Sequence, residues 1–316
     1  MAAAKHSAGQ VGRRLKLRDL HILMTAVDCG TMGKAAQRLA VSQPVVSKAI
    51  SDMERVLGVR LLDRSRSGIE PTAPGRALIK RGVAIFDEMQ QGLRDLEALS
   101  DPTGGEVSVA VTPPVAGAIV GPAIERLSRQ HPRMRFKTMV ADTAPLLAEL
   151  QARNVDLVIS RMPHRITGEF DTEILFHDAV KIVTGRKNPL ARRRSLALAD
   201  LLGEPWLLSA ENSYFGTLQA EVFRSSGLEP PPTTVEVSAY HLRLELLAGN
   251  RFLTVVAGFS ILLPRPNPGL VALPVKLQVA PNPVGIVTLK SRSLSPAAQL
   301  FIECAREITK PLAKSA

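Results

Sequence analysis

Gln43, Ser47, Lys48, Ser51 and Arg55 follow one another at intervals of four, one, three and four residues, which gathers them on one face of an α-helix. Their side chains share one kind of chemistry. A glutamine amide matches the donor and acceptor on an adenine edge, serine hydroxyls serve base edges or phosphates, and a lysine reaches guanine or a phosphate oxygen. Val45, on the free side of the first turn, suits a thymine methyl group. The interleaved residues Val46, Ile50, Met53 and Leu57 fall at i, i+4, i+7 and i+11 and predict an apolar stripe turned toward a core. Any one of these polar residues alone fits a solvated amphipathic helix. The elements around them argue for a reading face.

Leu20, Leu23, Met24 and Val27 recur at helical spacing, and Gly30 is placed to stop that helix in the left-handed conformation. Thr31 offers an N-cap for a short helix through Ala35, Ala36 and Leu39, whose small residues permit close helix approach. After a turn at Ala40–Val41, Ser42 is expected to cap the reading helix, with Pro44 in its first turn, where a missing N–H costs nothing. Residues 32–51 thus read as a helix-turn-helix. Gly58 ends the third helix. Residues 59–71 then predict a hairpin wing carrying Arg64 and Arg66 toward the DNA backbone or minor groove, and Thr72 caps the next helix.

The charge distribution agrees. Of the formal +11, residues 1–66 carry +7, from twelve Lys or Arg against five acids, while the 250 residues after them carry only +4. A basic module on a nearly balanced body implies a polyanion engaged by one end. The two cysteines, Cys29 and Cys304, match no metal-ligand spacing, which predicts reduced packing residues in a cytoplasmic protein. Residues 1–14 lack an apolar stretch and read as a disordered basic lead, and no apolar run is long enough for a bilayer.

The run Arg18-Asp-Leu, Gly30-Thr31, Ala35-Ala36, Leu39, Val41-Ser42-Gln43-Pro44, Ser47-Lys48, Ile50, Glu54, Leu57-Gly58, Arg60-Leu-Leu, Arg64 and Thr72…Gly75 resembles the DNA-binding domain of LysR-type transcriptional regulators. It departs at Gly33, where a hydroxyl residue is common, and at Leu62, where Phe is common. The wing end Ile69-Glu-Pro-Thr72 is similar to a branch around sugar-responsive regulators. Residues and resemblance together assign DNA contact to Thr31, Lys34, Ser42, Gln43, Pro44, Val45, Ser47, Lys48, Ser51, Arg64 and Arg66, within a winged helix-turn-helix over 15–72.

Over 73–100, Ile79, Val83, Phe86, Met89, Leu93, Leu96 and Leu99 alternate spacings of three and four, a coiled-coil seam about three heptads long. This linker helix is expected to join subunits, and the resemblance implies a homodimer or homotetramer on promoter DNA, with RNA polymerase a partner consistent with that role. Asp101-Pro-Thr-Gly-Gly105 breaks the helix. From there to about 311 the pattern alternates strand and helix in two cycles, calling for parallel sheets covered by helices. Arg186–Arg194 between the cycles reads as a solvated basic loop. Such an α/β body of two lobes resembles the family's effector domain, itself similar to periplasmic binding proteins. A small-molecule effector is expected at the strand-to-helix turns, at Thr112, Pro113, Thr143, Ser160, Arg161, Ser209, Asn212 and Ser238, with His164 near them. Helix capping competes with ligand contact at each hydroxyl.

Enzyme signatures are missing from the sequence: no phosphate-binding glycine loop, no H-E-x-x-H, no nucleophile elbow and no Cys/His cluster, so neither cofactor nor metal is called for. The sequence therefore predicts an effector-responsive, sequence-specific regulator of transcription acting at the nucleoid. The alternatives are a non-specific architectural DNA binder and a cytoplasmic solute-binding protein. The first needs no two-lobed body and the second no basic module.

Overall fold

The computed structural model describes residues 15–65, 68–101, 103–162, 168–261 and 269–313. The expected lead at 1–14, the wing residue Arg66 and His164 lie outside them. The chain packs as two compact units, one ending at Gln90 and the other starting at Gln91.

The first unit holds α1 (Leu17–Cys29), α2 (Met32–Arg38), α3 (Gln43–Leu57), the hairpin β1 (Leu62–Ser65) and β2 (Gly68–Pro71), and the start of α4 (Ala73–Ser100), which continues into the second unit. Gly30 ends α1 at φ 70°, its N–H donating to the Val27 carbonyl. Thr31 caps α2, its Oγ1 accepting from Lys34 N at 3.2 Å. Ser42 departs from expectation. Its side chain makes no cap hydrogen bond, and its carbonyl instead takes the Val45 N–H at 3.0 Å, so the hydroxyl is not spent on the helix. The stripe Val46, Ile50 and Met53 is buried against Leu23, Ala26, Ala35 and Ala36. The wing closes onto α1: Ile69 N donates to Gly30 O at 3.0 Å, and a Cβ at Gly68 would stand 2.6 Å from that same oxygen.

The linker stripe divides. Ile79 packs against the core of the first unit, and the Phe86 ring meets His21 at 5.6 Å. Met89, Leu93, Leu96 and Leu99 stay exposed, at 49, 59, 61 and 82%.

In the second unit, β3 (Glu106–Val111), β4 (Arg135–Val140), β5 (Leu157–Arg161), β6 (Phe170–Asp178) and β12 (Asn282–Leu289) form a sheet ordered β4-β3-β5-β12-β6. The first three are parallel, as the strand–helix cycle requires, but β12 runs antiparallel to both neighbours, so the sheet is mixed. Period-two alternation serves its two faces: Val107, Val109 and Val111 pack under α5 (Gly121–Gln130) and α9 (Pro296–Ala313), and Ala110 packs under α6 (Thr143–Gln151). The helical segment after β3 is irregular. A turn at Pro113–Val115 leads into a π-helical stretch, Ala116–Val120, before α5. Pro122 cannot donate to the carbonyl four residues back and its ring crowds it, so the wider turn removes the conflict.

The second lobe is built on β7 (Val180–Gly185), β8 (Trp206–Leu208), β9 (Thr233–Glu236), β10 (Thr254–Ala257) and β11 (Leu270–Ala272), with α7 (Tyr214–Arg224) and α8 (Tyr240–Ala248). β8 and β9 are parallel, whereas β10 and β11 flank β7 antiparallel. Trp206 and Phe223 meet edge-on at 5.1 Å in its core. β6 and β7 were not expected. β6 alternates weakly because it is an edge strand, with Asp171, Thr172, Ile174 and His177 exposed. The basic residues Arg192, Arg193 and Arg194 are exposed, as expected of that loop.

Candidate nucleic-acid interface and ligand cavity

The N-terminal half of α3 and the turn before it present Ser42, Gln43, Pro44, Val45, Lys48 and Ser51 as exposed side chains, with Ser47 half-buried beside them. Lys34 on α2 and Arg64 on β1 are also exposed, and Thr31 is half-buried in its cap. Arg55 is committed to Asp52 one turn back at 2.6 Å, so its charge is partly spent within α3. A Cβ at Gly33 would meet Gln43 Oε1 at 3.7 Å, an ordinary contact, so backbone crowding does not impose glycine there. The wing is held by Glu54, whose Oε1 accepts from Leu61 N at 2.7 Å and Leu62 N at 3.2 Å.

Between the lobes of the second unit lies a cavity of about 120 Å³. Six of the predicted effector residues line it: Thr112, Pro113, Thr143, Arg161, Ser209 and Ser238. Two do not. Ser160 is fully buried one place before Arg161 in β5, where alternation sends neighbouring side chains to opposite faces, and Asn212 is exposed at the mouth of α7. Capping does not account for the key hydroxyls. Thr112 makes no side-chain cap bond, and Thr143 Oγ1 is buried without a partner. Ser213, by contrast, caps α7 by accepting from Gly216 N at 2.9 Å.

Arg161 and Asp178 form a buried ion pair, with side chains 6 and 5% exposed. Asp178 ends β6 where the chain crosses to the second lobe, and it also accepts from Gly258 N at 3.1 Å and Phe259 N at 2.8 Å, just after β10. Burial pushes its carboxyl up, against the pull of Arg161 and of both amides. Arg243, on α8, enters from the other lobe and was not foreseen. Its Nη2 donates to Ser209 Oγ and to Val237 O, both at 2.6 Å, and its guanidinium lies 5.4 Å from the Phe215 ring centre. Burial pulls its pKa down, with Tyr240 acting against it. Phe215, Tyr240 and Phe259 supply aromatic walls that the sequence reading also missed.

Two family descriptions match this chain: a LysR substrate-binding domain over residues 100–310 and a bacterial regulatory helix-turn-helix of the lysR family over 17–76. The chain belongs to the LysR family. This LysR regulator is 30% identical to the HTH-type transcriptional regulator GbpR of Azospirillum brasilense over 93% of this chain and 86% of that protein. It is 28% identical to the uncharacterized HTH-type transcriptional regulator YdcI of Escherichia coli K12, over 93% of this chain and 96% of that one. Its fold is that of a full-length OxyR variant from Pseudomonas aeruginosa, with a TM-score of 0.66 at 22% identity, covering 92% of this chain and 97% of the other. Full-length CbnR complexed with its target DNA shares the fold with a TM-score of 0.53 at 22% identity over 94 and 100% of the two chains. The LysR regulator is thus a DNA-binding transcriptional regulator with an effector-binding domain, not an architectural DNA protein or a solute carrier.

The residues that sequence reasoning missed in this LysR regulator share a cause. Arg243 and Tyr240 sit on a helix with little amphipathic signal, and Phe259 follows a buried strand, so nothing local marks them as facing a cavity. Among the described residues, no group of three His, Cys, Asp or Glu side chains could hold a metal, and no helix is long and apolar enough to cross a membrane.

Proposed function

We propose that the regulator reads operator DNA through Gln43, Pro44, Val45, Ser47 and Ser51 in the major groove, with Lys48 on a phosphate at the groove edge. Ser42, Thr31 and Lys34 take backbone contacts, and the wing, with Arg64 and Arg66, follows the flanking phosphates. The observation that carries this reading is the division of α3: Val46, Ile50 and Met53 are buried, while Gln43, Pro44, Val45, Lys48 and Ser51 are exposed and, Arg55 apart, the polar face is not tied to charged neighbours. The domain limits stay those of the sequence reading, a DNA-binding domain over 15–72, a linker over 73–100 and an effector domain over 105–311. The work is done on DNA in the cytoplasm, by binding rather than turnover of either ligand. An effector in the cavity between the lobes changes how the DNA-bound state is populated, which requires different effector affinity in the two states.

Binding to the intergenic DNA beside the regulator's own gene, against scrambled DNA over a salt series, tests this directly. Gln43→Ala should cost about 1–3 kcal/mol of discrimination while binding to scrambled DNA is kept. Lys48→Ala should weaken both complexes alike and reduce the salt slope by about one unit. Preference untouched by Gln43→Ala at fixed salt would remove α3 as the reading helix.

The exposed stripe Met89, Leu93, Leu96 and Leu99 is assigned to a second copy of the chain, since heptad spacing continues along one face of a helix too apolar to remain solvated. Leu93→Asp with Leu96→Asp should shift the protein toward monomer in sedimentation and weaken binding to a two-part operator. An unchanged sedimentation profile would place the subunit contact elsewhere.

A further inference from the structure

The cavity holds more buried positive charge than its own residues neutralise in kind. Arg161 has Asp178, but its Nη1 is buried with no partner. Arg243 is 4% exposed, its hydrogen-bond acceptors are a neutral hydroxyl and a neutral carbonyl, and its Nε is also buried without a partner. The carboxylate that lines the cavity, Asp142, belongs to an exposed residue, where water screens it. Thr143 Oγ1 adds a third buried polar group lacking a partner. A buried guanidinium without a counter-charge is costly, and so is each unmet N–H donor, so these groups persist most readily where a ligand completes them. Most of the remaining wall is apolar, with Pro113, Phe215, Tyr240, Val256 and Phe259 in it, and the hydroxyls of Thr112, Ser209, Ser213 and Ser238 are set among these side chains.

We infer that the effector is a small organic carboxylate with an apolar body. Its carboxylate meets the free guanidinium N–H groups of Arg243 and Arg161 and the Thr143 hydroxyl, and its body lies against the aromatic walls. This rests on the cavity being the effector site. It goes further by naming the ligand class and by making Arg243 the principal anion receptor. The arrangement also reaches the crossover from β6 to β7. A ligand held by Arg161 is one ion pair from Asp178, and Asp178 binds the backbone after β10 as well as ending β6. Loading the cavity therefore acts at once on the crossover that ends β6 and on the second-lobe backbone after β10.

Calorimetric titration of the full chain with hexanoate, cyclohexanecarboxylate and benzoate, each beside its primary amide, with galactose as a neutral polar probe and inorganic phosphate as a bare anion, tests the inference. At least one carboxylate should bind, and its amide should bind about tenfold or more weakly, because hydrogen bonds to a charged group are worth about 1.5–3 kcal/mol. Arg243→Gln should remove most of that preference and keep the near-ultraviolet dichroism of Trp206, in the same lobe, which shows that the variant is folded. Arg243→Lys should recover part of it. Failure of every carboxylate to bind, equal binding of acid and amide, or tighter binding of galactose or phosphate overturns the inference. Ser238→Trp, at an exposed lining residue, separates that failure from failure of the cavity itself. If a neutral probe binds and this filled variant abolishes it, the cavity is the effector site and only the ligand class is wrong. If a carboxylate binds the filled variant undiminished, both readings fall.

Discussion

Asp156→Ala should destabilise the second unit by about 3–5 kcal/mol, the cost of leaving a buried charge without its partner. Asp156 is 4% exposed at the start of β5, and its carboxylate ties together three segments that are far apart in sequence. Its Oδ1 lies 3.0 Å from Arg292 Nη2 and 3.3 Å from Arg94 Nη1, and its Oδ2 accepts from Ser108 N at 2.8 Å. The Arg292 side chain is 2% exposed, so alanine at 156 takes the counter-charge from a guanidinium that water cannot reach and orphans a strand amide. Arg94 is less buried, at 29%, and contributes less. Urea denaturation followed by near-ultraviolet dichroism of Trp206, the single tryptophan, reads the second unit alone. Combining Asp156→Ala with Arg292→Met should restore part of the loss, because removing both charges is cheaper than removing one. A loss below about 1 kcal/mol in the single variant would mean that Arg292 finds water or another acceptor.

Gly75→Ala should cost about 3 kcal/mol in the first unit, near the upper end for a methyl forced into filled space. A Cβ at position 75 would stand 2.0 Å from the Leu61 carbonyl oxygen and 3.0 Å from its carbon, both backbone atoms with no side-chain freedom to give way. The start of α4 would have to move away from the wing, breaking a compact set of hydrogen bonds. Thr72 Oγ1 donates to Arg60 O at 2.7 Å and accepts from Gly75 N at 3.1 Å, while Thr72 N donates to Leu61 O at 2.9 Å. Since Glu54 at the end of α3 holds Leu61 and Leu62, the disturbance reaches α3 and the wing together. DNA affinity should fall with stability, for operator and scrambled sequence alike. Thr72→Ala, which removes the cap but adds no crowding, should cost only about 1 kcal/mol. A first-unit unfolding midpoint equal to wild type in Gly75→Ala would show that α4 shifts freely against the wing.

The first unit was largely readable because its signals are local. The stripe Val46, Ile50, Met53, the stop at Gly30 and the cap at Thr31 each depend on residues within one or two helical turns, and each lies where expected. Ser42 differs because a residue type permits a cap without requiring the side chain to turn inward. β6 escaped notice because an edge strand need not alternate cleanly, and the π-helical turn at Ala116–Val120 depends on a proline two residues beyond it.

The amino-acid sequence by itself determined the two-unit plan, the family, the division of α3 into an apolar stripe and an exposed polar face, and the turns from which Thr112, Thr143 and Arg161 enter the cavity. Tertiary structure alone decided the character of that cavity. Arg243 became a buried cation only when α8 met Ser209, 34 residues earlier, and Asp178 tied the β6 crossover to the second lobe only when it met Gly258, 80 residues later. Helical periodicity and capping reach a few residues along the chain, whereas burial, and with it the charge state and hydrogen-bond deficit of a side chain, is set by whatever the fold brings beside it.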